Sequence, residues 1–310
     1  LTLVAMLVLM FFLFRLMPGD PTATVISDAL YPKAQAAMME QFGLDKPLHQ
    51  QFLIYLQNYA KFDFGVSFRT NRSVAELIEG RLMNTIMLIL PSMIVAYGMG
   101  MIIGALMAWW RGGKAEFSVV FMATAFQSAP VFWVAMLAIL VFSLRLDWFP
   151  AGHIVPPGTF PEPTLAMYWS KDFLHHLALP FIVNTAYQIC FPLLLMRSSM
   201  LGTIGEDFIE LARMKGLKER RILFHHAARN SMLPVATTIP MILGWAVAGS
   251  VVIETVFSWP GLGLLMIQGV ETSDYPVVQA AFFLIAVLTV LGTFAADLLY
   301  GFLDPRIVYD

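Results

Sequence analysis

Few residues of this chain have the types and spacing that chemistry requires. The nucleotide-binding pattern G-x-x-x-x-G-K-[S/T] does not occur, and the basic turn Arg111–Lys114 lacks both its spacing and its hydroxyl group. No Ser/His/Asp or Cys/His set stands in a recognisable hydrolase motif. We therefore expect a chain that is not an enzyme, with no cofactor and no metal site of its own, so energy for any work must come from elsewhere.

The most informative polar stretch is residues 206–234, which lies between two long apolar segments and is rich in Lys and Arg. Such basic loops stay on the cytoplasmic side of a membrane. Glu206–Lys215 is predicted to form a short helix, with acids in its first turn and cations in its last. Gly216 suits the left-handed position just beyond that helix, from which Leu217 can fold back onto the last turn. A helix of about ten residues is marginal alone in water, so we expect a cytoplasmic partner to hold it.

Composition places the elements around this loop in a membrane. Of the 310 residues, 58% are hydrophobic and 13% are charged, against about 25% charged in globular proteins. The net charge of −2 says little as a total, because its distribution along the chain carries the information. The single cysteine, Cys190, excludes an intramolecular disulfide. We predict an all-α, polytopic membrane protein that forms one transmembrane domain over residues 1–310.

Six apolar segments are predicted to cross the bilayer. They are residues 1–17, 82–110, 117–144, 174–200, 232–257 and 277–303. The first is short for a span, so we expect the natural start to lie slightly upstream; a cleaved signal peptide is the alternative, but no small-residue cleavage site follows. The short basic loops place both termini and the loop 201–231 in the cytoplasm.

Two longer polar regions are expected outside. Residues 18–81 form an extracytoplasmic helical insertion, with one helix over 32–42 and a second that starts at residue 45 and ends near Tyr59. Aromatic and aliphatic residues recur at helical spacing on the second helix and are expected to pack on the membrane domain. Residues 145–174, rich in proline and aromatics, form an outer loop.

Proline and glycine mark the spans. The prolines act either as pivots between two transport states or as simple packing bends, and both interpretations stay open. The glycines of the second span are expected to allow close helix approach. These residues are Pro91, Pro130, Pro180, Pro192, Pro240, Gly98, Gly100 and Gly104.

Glu254 is a carboxylate set deep in apolar sequence near the outer end of the fifth span. Intramembrane carboxylates are costly and usually face a cavity or a partner. It opens the string E-T-V-F-S-W-P-G-L-G, which includes Trp259, Pro260 and Gly261. This segment is a candidate gate or substrate passage, or alternatively a structural pair or cap at the membrane interface.

Several strings in combination resemble the permease subunits of ATP-binding-cassette importers, in the dipeptide/oligopeptide/nickel branch. The cytoplasmic loop resembles that family's EAA-type coupling loop, with Leu211 where the general motif has alanine and Pro234 further downstream, as is usual in the peptide branch. The other strings are P-G-D-P at 18–21, G-L-D-K-P at 43–47, E-T-V-F-S-W-P-G-L-G at 254–263, D-Y-P-V-V-Q at 274–279 and D-P-R-I at 304–307.

The resemblance implies a transport role in a bacterial inner membrane. The implied partners are a second, homologous permease subunit, two cytoplasmic ATPases that bind ATP and magnesium, an extracytoplasmic solute-binding protein and the lipid bilayer, with no nucleic acid. The implied cargo is di- or oligopeptides or similar small solutes, with nickel an alternative within the family. The residues implied to couple the loop to the ATPases are Glu210, Ala212, Arg213, Gly216, Leu217, Arg229 and Asn230.

Two other classes of protein remain as alternatives. An ion-coupled secondary transporter would need charged groups deep in several helices and has no use for a docking loop, whereas the deep charges here are few. A membrane scaffold or assembly factor would explain the loop but not the proline-interrupted spans around it. Copurification of ATPase subunits and a requirement for ATP separate the three.

Overall fold

The computed structural model of the protein describes residues 2–16, 46–156, 158–159, 164–239 and 251–303. These residues are mostly helical and contain no β-strand, only an isolated bridge between Val66 and Ser73, which confirms the predicted all-α class for this part of the chain. The helices are α1 (Thr2–Leu16), α2 (Leu48–Ala60), α3 (Val74–Trp109), α4 (Lys114–Ser128), α5 (Val131–Ala138), α6 (Leu165–Tyr168), α7 (Lys171–Gln188), α8 (Cys190–Thr203), α9 (Asp207–Met214), α10 (Glu219–Arg221), α11 (Arg229–Ala236), α12 (Leu262–Glu271) and α13 (Tyr275–Leu303). Two π-helical segments, Ile139–Arg145 and Ile222–Ala228, follow α5 and α10.

Among the described residues, three helical stretches are long and apolar enough to cross a membrane: α3, α7 with α8, and Tyr275–Ala295 within α13. A fourth crossing is possible if α4 and the helix Val131–Arg145 count as one bent span. The segment predicted as the first span forms the shorter α1, and residues 240–250 of the predicted fifth span lie outside the described residues. The predicted helix 32–42 lies outside them as well. The structure therefore describes three or four of the six predicted spans.

The bend between α4 and α5 has an identifiable cause at Pro130. The two helices meet at 104°, across a break of two residues. Ala129 adopts an extended conformation (φ −79°, ψ 139°), as expected because the ring of a following proline disfavours the helical region. Pro91 and Pro180 instead lie inside α3 and α7, and Pro192 lies in the first turn of α8, where proline is tolerated. Pro240 is outside the described residues.

The described helices belong to two compact units, residues 1–86 with 258–290 and residues 87–257 with 291–310. The core of the first unit is an aromatic cluster centred on Tyr59 of α2. Its ring lies 5.3 Å from Phe64 and 5.1 Å from Phe283 of α13, and neighbouring Tyr55 packs on Phe11 of α1. This contact confirms the predicted packing of the second insertion helix on the membrane helices.

Asp274 fixes the loop that follows the aromatic cluster in the same unit. Its buried carboxylate accepts hydrogen bonds from Ser67 Oγ (2.5 Å), from the Phe68 amide (3.1 Å) and from the Arg69 amide (3.4 Å). Bonds from a hydroxyl and backbone amides stabilise a buried carboxylate. The D-Y-P string at the start of α13 therefore holds the loop at Ser67 in place.

In the second unit, α3 and α8 pack closely at two glycines. A Cβ atom on Gly100 would lie 2.8 Å from Pro192 Cγ, and one on Gly104 would overlap the Leu193 carbonyl. The predicted close approach is thus confirmed at these two positions. At Gly98 it is not seen, because a Cβ atom there would meet none of the described residues within 4 Å.

Candidate functional site

The basic loop folds into the short helix α9, Asp207–Met214. Glu206 occupies the N-cap position in an extended conformation, Asp207 and Glu210 lie in the first turn, and Arg213 lies in the last. Acids at the start and a cation at the end complement the helix dipole. The structure confirms the predicted helix to within one residue at each end.

The end of α9 has the backbone geometry that the sequence predicts. Gly216 has φ +73°, in the left-handed region, and donates its N–H to the Arg213 carbonyl at 2.9 Å. The next residue, Leu217, folds back and donates its N–H to the Ala212 carbonyl at 3.3 Å. These two bonds form a Schellman motif, which satisfies carbonyl groups that the helix end leaves open. The loop therefore leaves α9 in a defined direction.

One face of α9 is anchored to the rest of its unit. Ile209 and Ala212 are buried. The Arg213 guanidinium lies 5.5 Å from the centre of the Trp109 ring, at the end of α3, and Arg213 Nε donates to Glu219 Oε1 at 3.2 Å. A guanidinium over an aromatic face is attracted by the ring's quadrupole. Arg213 thus joins α9 both to α3 and to the helix that follows it.

The opposite face of α9 is apolar and open to solvent. Phe208, Leu211 and Met214 are 39%, 48% and 72% exposed and recur every three residues along the helix. Beside them lies a surface hollow of about 500 Å³ whose charged lining residues are Glu206, Glu210 and Arg213. An exposed apolar row on a short helix, next to acidic groups, suits docking into a groove of another protein. We call this surface the α9 docking face.

The chain returns from α9 through the π-helical segment Ile222–Ala228 and enters α11. At the start of α11, Arg229 and Asn230 are exposed, and Asn230 Nδ2 donates to the His226 carbonyl at 2.9 Å. Buried Ser231 donates its hydroxyl to Thr203 Oγ1 at 2.8 Å, at the end of α8. Of the predicted coupling residues, five lie on or directly after α9, whereas Arg229 and Asn230 lie on a different element.

A second set of contacts was not predicted from the sequence. Glu116, in the first turn of α4, forms an ion pair with Arg197 of α8, and its other oxygen accepts the Gly112 N–H at 2.5 Å. Arg197 Nε lies 2.8 Å from Glu116 Oε1. The signal in the sequence was an arginine near the inner end of an apolar span, which needs a partner there. Among the described residues, no three His, Cys, Asp or Glu side chains group as metal ligands.

The candidate gate residues fall into different units. Trp259 is fully buried in the first unit and donates Nε1–H to the Asn84 carbonyl at 3.0 Å, while Asn84 Nδ2 donates to the Pro260 carbonyl at 2.8 Å. Gly261 beside them is also buried. Glu254 is fully buried in the second unit, in a helical segment over residues 251–256. The W-P-G string is thus attached to α3, and a gating role for these four residues stays a prediction.

Comparison with protein families gives two matches that together cover nearly the whole chain. Residues 100–309 match the family described as binding-protein-dependent transport system inner membrane component, and residues 1–89 match its N-terminal region.

Several curated proteins are similar over nearly their full length. The oligopeptide transport system permease protein AppB of Bacillus subtilis is 36% identical over 308 residues, which is 99% of this chain and 95% of that protein. The dipeptide transport system permease protein DppB of Escherichia coli is 34% identical over 321 residues, covering 99% and 95%. The di/tripeptide transport system permease protein DppB of Pseudomonas aeruginosa is 36% identical, covering 96% and 93%.

Among solved structures, an inward-facing MetNI methionine ABC transporter chain aligns with a TM-score of 0.59 at 16% identity. The alignment covers 74% of this chain and 96% of that chain. At this level of identity, the comparison shows a shared fold.

Proposed function

Because this chain belongs to the family of binding-protein-dependent transport system inner membrane components, we propose that it is the permease through which an ATP-driven importer brings peptides into the cell. The peptide cargo is supported by the relatives, whose names refer to dipeptide, di/tripeptide and oligopeptide transport. The observation that carries the ATP-driven part is the α9 docking face, an apolar row exposed on a helix too short to be stable alone.

The proposed assembly contains four kinds of protein. This chain pairs with a second, homologous permease subunit. Two cytoplasmic ATPases bind ATP and magnesium and drive both permease subunits. An extracytoplasmic protein delivers the solute. In this arrangement the chain crosses the membrane six times with both termini inside, residues 18–81 lie outside, and residues 201–231 meet the ATPases. The chain itself carries out no catalysis.

In this proposal, coupling of ATP hydrolysis to transport starts where an ATPase binds the α9 docking face. Phe208, Leu211 and Met214 enter a groove of the ATPase, and Glu210 meets a basic residue at its edge. Since Ile209 and Ala212 are buried behind that face, a movement of the ATPases displaces α9 without deforming it.

From α9 the movement has two routes into the membrane helices of the same unit. Arg213 passes it to α3 through the Trp109 ring. The hydrogen bond between Ser231 and Thr203 passes it to α8 and α11. The prolines at the bends then allow the helices to change direction around the transport path.

The test is uptake of labelled dialanine by proteoliposomes that hold the complete complex, with its binding protein outside and ATP inside. We expect uptake that requires hydrolysable ATP and persists when ionophores collapse the ion gradients. Uptake that survives the loss of ATP but not of an ion gradient would overturn the proposal in favour of a secondary transporter. Absence of dialanine uptake, with another solute transported, would overturn only the peptide cargo.

Docking is tested separately by reversing one charge. Glu210→Lys is expected to weaken the association of the ATPases, measured by copurification from membranes, because it replaces one of the two acids that line the hollow by a cation. The matched control is Glu271→Lys, which reverses an exposed acid at the end of α12. Equal recovery of the ATPases with both variants would contradict the contact.

A further inference from the structure

Polar side chains on α3 and α7 lie at one depth of the membrane. Gly100 packs against Ile189 and Pro192, and one turn further along α3, Gly104 packs against Leu193 and Arg197. The residue numbers of the contacting positions at the end of α7 and in α8 increase together with those on α3. The helices therefore run parallel. One turn before these contacts, α3 carries Tyr97 and α7 carries Gln188, which are therefore at the same level.

That level is near the middle of the bilayer. Tyr97 precedes Trp109, the last residue of α3, by about twelve residues, and at 1.5 Å per residue this is roughly 18 Å. The hydrocarbon core is about 30 Å thick. Thr238 reaches the same level, because its Oγ1 lies 3.4 Å from the Tyr97 hydroxyl. Asn184 lies one helical turn outward from Gln188 on the same face of α7. We call Tyr97, Asn184, Gln188 and Thr238 the mid-membrane polar tier.

The amide of Gln188 has hydrogen-bonding capacity that the described residues do not use. Gln188 is partly exposed and makes no side-chain hydrogen bond within the part of the chain that the structure describes, whereas Asn184 is buried. The backbone adds another acceptor, because Pro192 has no N–H to donate to the Gln188 carbonyl four residues earlier. An unsatisfied amide in hydrocarbon costs several kcal/mol, so the Gln188 amide needs a polar partner beyond the described residues.

The chemistry of the tier fits the main chain of a peptide. Its members are neutral hydroxyl and amide groups, which donate to carbonyl oxygens and accept from N–H groups. Such groups bind a peptide backbone whatever its side chains are, and they offer no fixed charge to retain an ion. We propose that Gln188 lines the transport path and binds the peptide main chain in transit, with Thr238 and the buried Tyr97 and Asn184 beside it, an assignment that rests on the peptide cargo proposed above.

Water access to the tier is tested with single cysteines in the complete transporter. Cys190→Ala removes the chain's only cysteine, and Gln188→Cys is then compared with Ile182→Cys, an exposed apolar position on the same helix. We expect a membrane-impermeant, cationic methanethiosulfonate to label position 188 at least tenfold faster. Equally slow labelling at both positions overturns the proposal, because the amide would then contact lipid or a helix of the second permease.

Binding is tested by uptake of labelled dialanine. Gln188→Met keeps the size of the side chain but removes its amide, and we expect about a fivefold lower maximal rate, as for one lost hydrogen bond, with ATPase assembly unchanged. Gln188→Asn, which restores an amide, is expected to recover part of the rate. A normal rate in Gln188→Met overturns the tier while the proposed function stands. No dialanine uptake by the wild-type complex, with another solute transported, overturns the peptide cargo and the tier together, so the two failures are distinguishable.

Discussion

Replacing Gly216 by valine tests whether the end of α9 transmits movement. At φ +73°, a Cβ atom on residue 216 would meet nothing within 4 Å, so the substitution introduces backbone strain without a clash. The left-handed conformation costs an L-residue about 1–2 kcal/mol, and a β-branched residue lies at the upper end of that range. An energy of this size lowers the population of molecules in which the Schellman motif at the end of α9 is formed by a factor of about 5–30. We expect the loop to leave α9 in several directions.

The assay is the number of dialanine molecules taken up per ATP hydrolysed by the reconstituted complex. We expect this ratio to fall severalfold in Gly216→Val while ATP hydrolysis continues, and to recover in Gly216→Asn, because asparagine tolerates the left-handed region. Gly158→Val is the matched control: Gly158 has φ +84°, an equally open Cβ position and a place in the predicted outer loop. An unchanged ratio in Gly216→Val, with normal protein levels, would refute the role of the α9 end in coupling.

Three further predictions concern stability, measured as thermal unfolding of the purified protein in detergent. Asp274→Ala removes a buried acceptor of three hydrogen bonds and is expected to cost about 3 kcal/mol; an unchanged melting temperature would show that its loop is held by other contacts. Trp259→Phe loses a buried N–H donor and ring volume, for about 2 kcal/mol, and a neutral result would contradict the attachment of the W-P-G string. Gly104→Ala overpacks α3 against α8 and is expected to cost about 1–3 kcal/mol, whereas Gly98→Ala, with open space around it, is expected to be neutral or slightly stabilising; equal effects would contradict the close packing.

Local features of the cytoplasmic loop could be predicted from the sequence because they depend on neighbouring residues. Acids at the start of a short helix, a cation in its last turn and a glycine just beyond specify α9 and its left-handed end without any distant contact. The break at Pro130 is local in the same way. The family, too, could be identified from short strings, and the comparisons confirm it.

Contacts between distant segments could not be predicted in this way. Nothing in the sequence around Arg213 indicates Trp109 as its neighbour, and the ion pair of Glu116 with Arg197 joins residues on different spans. Helical spacing shows which face of a helix is small or polar, but not which helix lies against it. For this reason the sequence predicted close packing at Gly98, where no described residue lies within 4 Å of an added Cβ atom, as readily as at Gly104.

The contacts within the second unit join α9 to both α3 and α8, so that the two helices are expected to move together with α9. Arg213 links α9 to α3, and the bond between Ser231 and Thr203 links the returning chain to α8. Since α3 and α8 also pack closely at Gly104, with little room to slide, a displacement that enters by either route must move both helices. The mid-membrane polar tier is built on α3 and on α7, which leads directly into α8. The same displacement therefore repositions the tier, and a defect at Gly104 is expected to lower transport per ATP as well as stability.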